Sequence, residues 1–372
     1  MIPFNKPFLT GKETIYIEQA VQSGKLSGNG NFTQKCQQFF EDKYKFKKCL
    51  LTTSCTDALE MCAMLINCNQ DDEIIVPSYT FVSSALAFVR QGAKIIFADS
   101  QDNNPNIDAN KIEHLITPKT KAIVVVHYAG IAADMDKIMQ LAHQYNLVVI
   151  EDAAQAIDSF YKGKPLGSIG HLAAFSFHET KNVISGEGGM LAINDDKYIA
   201  RAEVIWEKGT NRASFFRGEI NKYGWVDTGS SFLPSEVIAA FLWAQLENLE
   251  LIQEKRKAIW NTYYNTLKSF EKEAKIKLPI VPDYASNNGH LFYLICNSID
   301  ERTDLINKLK NNNIHAVFHY ISLHSSDYYS KTNEVPALKW SDYYTDRLLR
   351  LPLFFELTEE QVIMICNTII HE

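Results

Sequence analysis

The chain has 372 residues, 46% of them hydrophobic, with a formal charge of −7 and a pI near 5.8. That length and apolar content suit one large domain with a smaller companion. The acidic balance argues against a nucleic-acid partner, which needs a basic footprint, and apolar runs such as Val237–Ala244 fall far short of the ~20 residues of a membrane span.

The segment Met1–Pro7 lacks the layout of a signal peptide. The 7 cysteines form no CxxC pair and no ligand-like spacing, which fits free thiols in a reducing cytoplasm and gives no reason to expect a metal.

Cys49–Thr53 reads as a short strand, Ser54–Asp57 as a small polar turn, and Ala58–Leu65 as a helix. A strand–turn–helix of this kind is either a plain N-cap or a cradle in which helix N–H groups hold a phosphate. Apolar runs then recur at Glu73–Val76, Lys94–Phe97, Ala122–Val126 and Leu147–Ile150, separated by amphipathic helical stretches. Continuous apolar strands alternating with helices predict an α/β fold, with a mostly parallel sheet covered on both faces. Ligands of such sheets bind beyond the carboxyl ends of the strands. The Ser54 turn, His127 and Asp152 all fall at such ends.

The run Phe175–Asn182 contains Lys181 and is followed by Ser185-Gly186-Glu187-Gly188-Gly189. A lysine and a strand-end aspartate are the two groups that a pyridoxal 5'-phosphate (PLP) enzyme requires. The lysine bonds covalently to the cofactor aldehyde, and the aspartate keeps the pyridine nitrogen protonated, so that the ring acts as an electron sink. Each is ambiguous alone: lysines are mostly solvated, and strand-end acids are often caps. A hydroxyl at Ser176 adds a further group for the cofactor phosphate.

After Pro234 the pattern changes. Pro234-Ser235-Glu236 reads as a helix start with proline in the first turn, and the helical pattern runs on to about Ser269. We place a domain change near residue 250, with a large domain over 1–250 and a small C-terminal α+β domain over 251–372.

Taken together, Ser27–Gly30, Pro77–Val82, Val126–Gly130, Glu151–Gln155, Ser176–Asn182 and Leu351–Phe354 resemble the DegT/DnrJ/EryC1/StrS sugar aminotransferases, a family within fold-type I PLP enzymes. The resemblance runs nearly end to end. It implies that Lys181 and Asp152 are catalytic. It further implies that Cys55, Thr56, Asp57, Phe81, Gln155 and Ser176 join them in binding the cofactor, with Phe81 stacked on the ring and Gln155 near its oxygen. For the substrate it points to His127, Tyr128, His178, Glu179, His319 and Tyr320. Arg212 and Arg217 are candidates for a nucleotide diphosphate, since guanidinium groups suit bidentate pairing.

The segments Ser176–Asn182, Glu207–Arg212 and Phe215–Gly218 are similar to the branch of the family that aminates C4 of dTDP-4-keto-6-deoxy-D-glucose with L-glutamate, giving dTDP-4-amino-4,6-dideoxy-D-galactose for surface polysaccharides such as enterobacterial common antigen and O antigen. The implied reaction is ping-pong: glutamate leaves its amino group on the cofactor and departs as 2-oxoglutarate, and the keto sugar then takes that group. The family also implies a homodimer with shared active sites. Many members carry Asn, reaching the partner's phosphate, where this chain has Leu233; Ser230, Ser231 and Ser235 are the alternatives. Rival readings are a transaminase of another keto sugar, including one acting at C3, a sugar dehydratase of the same fold, and a non-catalytic regulatory protein. The dehydratases carry His in place of the lysine, so Lys181 argues against that reading.

Overall fold

The computed structural model describes residues 1–271 and 276–371. Its strands are, in chain order, β1 (Lys48–Thr52), β2 (Glu73–Pro77), β3 (Lys94–Ala98), β4 (Thr120–Val126), β5 (Val148–Asp152), the hairpin β6 (Phe160–Tyr161) and β7 (Lys164–Pro165), β8 (Leu172–Ser176), β9 (Gly189–Ile193), β10 (Ile276–Lys277), β11 (Phe292–Cys296), β12 (Val317–Phe318) and β13 (Leu348–Leu351). The large sheet has the order β1-β9-β8-β5-β4-β2-β3. Neighbours from β3 to β8 run parallel, and only β9 runs against its neighbours β8 and β1.

Both faces of this sheet are buried, which explains its unbroken apolar strands. In β4, Ile123 and Val125 enter one core, with the helices Asn31–Tyr44, Met135–Tyr145 and Glu236–Leu246. Ala122 and Val124 enter the other, with Cys55–Leu65, Ser83–Val89 and Ile199–Trp206. Each such buried Ile or Val side chain contributes about 1.5–3 kcal/mol. Trp206 ties the second layer to the sheet by donating from Nε1 to the Leu51 carbonyl at 2.6 Å.

The small sheet, β10-β11-β13-β12, is antiparallel throughout. Strand alternation divides its side chains. Phe292, Leu294, Leu349 and Leu351 face a core shared with the helices Leu249–Lys268 and Glu359–Ile370, which also receives Ile2 from the N-terminus. Leu291, Tyr293, Ile295 and Leu348 turn the other way, onto Tyr79 and Tyr128 of the large sheet's loops.

The predicted helix from 235 to 269 is two helices, Glu236–Leu246 and Leu249–Lys268. Proline is not in the first turn: Ser235 is the N-cap and Pro234 precedes it. Leu249 at the start of the second helix belongs to a large-sheet core, while Ile259, Tyr263 and Leu267 belong to the small one. Among the described residues, no helix is long and apolar enough to cross a membrane, and no cluster of three or more His, Cys, Asp or Glu side chains could hold a metal ion.

Candidate active site

A cavity of about 770 Å³ opens between the large sheet's strand ends and the small sheet. Its floor follows the topology. Thr80 and Phe81 come from the loop after β2, Val126 ends β4, Asp152 ends β5 and Ser176 ends β8. Ser54, Cys55 and Thr56 come from the turn after β1, where Ser54 caps the helix Cys55–Leu65 and accepts from the Asp57 N–H at 3.1 Å. The turn is thus an N-cap, and its residues also line the cavity.

Gly189, on the neighbouring strand, presses against this turn. A Cβ there would overlap the backbone of Ser54 and Cys55. The close approach fixes the position of this turn at the cavity edge, at the N-terminus of the helix Cys55–Leu65, the kind of place where a phosphate cradle is built.

Asp152 is 5% exposed. Its carboxylate accepts from Ser84 Oγ at 2.6 Å and from the Ala154 N–H at 3.2 Å. Ser84 Oγ also meets Thr80 Oγ1 at 2.9 Å, which fixes its rotamer. Burial raises the Asp152 pKa, while the Ser84 bond and the Lys181 charge pull it down. Lys181 projects into the same cavity and forms no salt bridge among the described residues. Burial lowers its pKa, favouring the free amine that a nucleophile needs. Thus the aspartate lacks a full cationic partner and the lysine is biased towards neutrality. A protonated pyridine nitrogen and an aldehyde carbon would answer both conditions.

Phe81 lines the cavity and is 57% exposed, its ring centroid 6.3 Å from that of Tyr320. A large aromatic left uncovered inside a cavity suits stacking on a planar ring. Gln155 lines the cavity, but its side chain is already engaged: Oε1 accepts from the Ala129 N–H at 2.6 Å and Nε2 donates to Tyr320 Oη at 2.9 Å. Asp57 is outside the lining, because its carboxylate turns back to Thr53 Oγ1.

The expected substrate residues divide. His178, His319 and Tyr320 line the cavity. Burial and nearby cations hold the His319 pKa well below its ordinary value, so the ring is neutral. Its Nδ1 is 2.5 Å from Tyr128 Oη.

The other five are elsewhere. His127 is fully buried behind the wall, bonded through Nε2 to Glu151 at 2.9 Å. Glu151 also accepts from the N–H groups of Gly167, Ile169 and Gly170, so this strand-end pair serves the fold. Tyr128 is 2% exposed and reaches the cavity only through His319. Glu179 is exposed and outside the lining; its N–H donates to the Gly186 carbonyl at 2.9 Å and its carbonyl accepts from Asn5 Nδ2 at 3.2 Å. Arg212 and Arg217 lie at an exposed short helix outside this cavity. Arg217 is paired with Glu203 and Glu219 at 2.8 and 2.7 Å, and Arg212 is 3.8 Å from Glu207.

The sequence profile of the DegT/DnrJ/EryC1/StrS aminotransferase family matches residues 8–370. The chain belongs to that family. GDP-perosamine synthase of Escherichia coli O157:H7 is 32% identical, with 99% of this chain and 97% of that protein covered. Spore coat polysaccharide biosynthesis protein SpsC of Bacillus subtilis is also 32% identical, over 97% and 94%. Among solved structures, the PLP form of the putative sugar aminotransferase Spr1654 from Streptococcus pneumoniae superposes with a TM-score of 0.91 at 25% identity, covering 99% of this chain and 97% of that one. DesV from S. venezuelae gives 0.90 at 26%, again covering 99% and 97%. The protein is accordingly a PLP-dependent sugar aminotransferase with the fold of that family.

Several groups in or behind the cavity of this family member are absent from the sequence reading. Ser84 orients Asp152 yet sits in an unremarkable helix. Asn182, next to the lysine, donates to Gln253 Oε1 at 2.8 Å and to the Asn288 carbonyl at 2.9 Å, and its Oδ1 is 2.8 Å from His290 Nδ1. The Lys181 loop is thereby tied to the helix Leu249–Lys268 and to the approach of β11. Arg256 and Arg350 line the cavity itself. The only signal for them was an arginine within an otherwise apolar strand, at Arg350.

Proposed function

We propose that this aminotransferase moves the amino group of L-glutamate to C4 of dTDP-4-keto-6-deoxy-D-glucose, giving dTDP-4-amino-4,6-dideoxy-D-galactose for surface polysaccharide synthesis. The observation that carries the reading is the meeting of Lys181, Asp152, Phe81 and the Ser54–Thr56 turn in one cavity between two sheets. The substrate itself rests on the resemblance of Ser176–Asn182 and Glu207–Gly218 to the C4-aminating branch.

In this reading Lys181 holds the cofactor covalently, Asp152 holds its ring nitrogen, and Phe81 covers one face. The N–H groups of the Ser54–Thr56 turn and the Ser176 hydroxyl receive the phosphate. When bound, PLP supplies a carbonyl carbon that accepts amines and a ring that withdraws electrons from the adjacent carbon. The protein supplies the proton chemistry. Lys181 Nζ takes the proton from the donor Cα, and in the second half delivers a proton to C4 of the sugar. Its lowered pKa makes the free base available for the first step. Asp152 stays ionised throughout, and the small sheet with His319 and Tyr320 walls the site from water.

The assembly is proposed to be a cytoplasmic homodimer whose active sites lie at the interface. A different nucleotide is the second reading, because relatives named GDP-perosamine synthase are 32% and 29% identical over 99% of this chain. Incubation with glutamate and dTDP-, GDP- and UDP-linked keto sugars, with NMR of the products, tests both. Amination of the dTDP substrate at C4 with the galacto configuration is expected. A product aminated at C3, or turnover only with a GDP-sugar, would overturn the assignment. Cofactor loading without turnover of any sugar would favour a non-catalytic role.

A further inference from the structure

Two walls of the cavity come from segments far apart in the chain, and one buried serine joins them. The loop Ser78–Phe81 follows β2 and carries Thr80 and Phe81; the segment 319–325 follows β12 and carries His319 and Tyr320. Ser78 is fully buried, and its N–H donates to the carbonyl of Ala98, at the end of β3, at 3.0 Å. Its carbonyl and hydroxyl turn to the other segment. The carbonyl accepts from the Leu323 N–H at 2.9 Å. The hydroxyl oxygen accepts from the His324 N–H at 3.2 Å and lies 2.6 Å from His324 Nδ1. His324 is buried as well, with Nε2 3.3 Å from Asp342 Oδ1 on the helix Lys339–Arg347. An acceptor at Nε2 puts the ring proton there and leaves the lone pair on Nδ1, so the Ser78 hydroxyl donates to the ring. Ser322 docks on the same helix, its N–H donating to Thr345 Oγ1 at 3.1 Å.

Serine, histidine and aspartate bonded in this order are the parts of a hydrolytic triad. Here the serine is sealed and outside the cavity lining, so no substrate reaches it. The arrangement holds rather than reacts, and what it holds faces the cofactor. The Ser78 carbonyl also accepts from the Thr80 N–H at 3.1 Å. Thr80 Oγ1 meets Ser84 Oγ, which in turn donates to Asp152, and Phe81 is the next residue in the chain. On the other side, the same bonds seat Tyr320, whose ring centroid is 5.8 Å from that of Tyr79. We propose that His324 is a positioning residue for transamination, acting through Ser78 to set Phe81, and by way of Thr80 and Ser84 to set Asp152, against the cofactor ring. The inference rests on the aminotransferase reading of this cavity and adds to it a group that touches neither substrate nor cofactor. Without an acceptor at position 324 the Ser78 hydroxyl is left buried and unpaired. A loop released in this way need shift by only about 1 Å to cost about a hundredfold in rate.

The test compares Ser78→Ala, His324→Leu and His324→Asn in the cofactor-loaded protein. Asn keeps an acceptor where Nδ1 stands; Leu keeps apolar bulk without one. The first readout is the circular dichroism induced in the visible band of bound PLP, which reports how the ring sits against its surroundings. It needs neither amino donor nor sugar, so it stands apart from those two assignments. The band should weaken in Ser78→Ala and His324→Leu and return towards wild type in His324→Asn. The second readout is the single-turnover conversion of the PLP form by L-glutamate. Its rate constant should fall about tenfold or more in Ser78→Ala and His324→Leu, while the apparent Kd for glutamate changes by less than about twofold, because misplacement acts on the reacting geometry. His324→Asn should stay within about threefold of wild type. The double variant Ser78→Ala/His324→Leu should be no slower than the slower single variant, since both break one interaction. Wild-type dichroism and rate in Ser78→Ala and His324→Leu, with only the melting midpoint lowered, would make the cluster a strut of the fold and overturn the proposal. So would a His324→Asn protein as impaired as His324→Leu, or losses that add in the double variant. If Ser78→Ala folds poorly, the contrast between the two His324 variants decides. If glutamate fails to convert the wild type, the donor assignment falls and the dichroism series still decides this one.

Discussion

At Lys181 the fold places an amine where its charged form is penalised. Its pKa lies below 10.5 because of burial, so in the cofactor-free protein the cost of the protonated form is full below the depressed pKa and fades as pH rises towards 10.5. Lys181→Met should therefore raise the apo melting midpoint at neutral pH by about 2 °C or more, with the gain vanishing near pH 10.5. The same variant, and Lys181→Ala, should lose transamination and the covalently bound cofactor's visible absorbance. Scanning calorimetry across pH reads the first effect; a variant with wild-type turnover would end the catalytic assignment. Ser84 allows a second test. Its hydroxyl lowers the pKa of Asp152 against the upward push of burial. Removing it in Ser84→Ala should raise that pKa further, so a higher pH is needed to keep the carboxylate ionised. The acid limb of the pH profile for the glutamate half-reaction should move up, while the basic limb stays. An unmoved acid limb would separate Ser84 from the chemistry.

What the sequence revealed at this scale follows from what each residue type advertises. A strand-end Asp and a Lys in an unusual polar run carry signals, and the structure does put them in one cavity. Cys55, Thr56, Phe81 and Ser176 lie around them. A histidine advertises chemistry too, but His127 is consumed by Glu151 behind the wall, and only coordinates reveal that a polar partner sits within reach. Arg212 and Arg217 lie outside this cavity beside acidic residues that are near only in the fold, and such pairing is not a property of spacing.

At the scale of elements, the apolar runs located β1 to β5 to within a few residues, since strands buried on both faces are written as unbroken hydrophobic stretches. β8 and β9 gave weaker signals. Leu172-Ala173-Ala174-Phe175-Ser176 is alanine-rich and Gly189 opens β9, and both residues are depleted in strands. At Gly189 a small residue is needed because the turn after β1 packs on it. Gly189→Ala should push against the Ser54–Cys55 backbone, which cannot swing away as a flexible side chain would. We expect a loss of about 1–3 kcal/mol in stability and cofactor binding weaker by about tenfold, read by denaturant titration and by PLP titration of the apo protein. Normal affinity would mean that the phosphate does not rest on this turn. At Gly189 the demand for glycine comes from within the chain. The break between the helices Glu236–Leu246 and Leu249–Lys268 had no proline or glycine to announce it.

For the whole molecule, the surface holds a feature that a monomer would not keep. The segment between Glu207 and Ser231 is folded back on itself, with antiparallel bridges pairing Glu207 with Ser231 and Thr210 with Trp225. It presents Phe216, Tyr223, Trp225 and Val226 at 67%, 51%, 82% and 56% exposure. Such a cluster marks an interaction surface. We expect it to be covered by a second copy in a two-fold dimer. Leu233, where an asparagine was sought, packs partly into a core, while Ser230 and Ser231 stay exposed and are the groups left to reach across. Trp225→Asp tests the interface. The indole is mostly outside the fold, so the monomer should keep its secondary structure. Burial of a central Trp at an interface is worth about 2 kcal/mol or more, and a two-fold interface carries the change twice. The dimer dissociation constant should therefore rise by at least about a hundredfold. Light scattering at micromolar concentration should then show monomer, and activity should fall with dilution in step with dissociation. A monomer that keeps full activity would place the whole site within one chain, and a Trp225→Asp protein that stays dimeric would put the interface on another face.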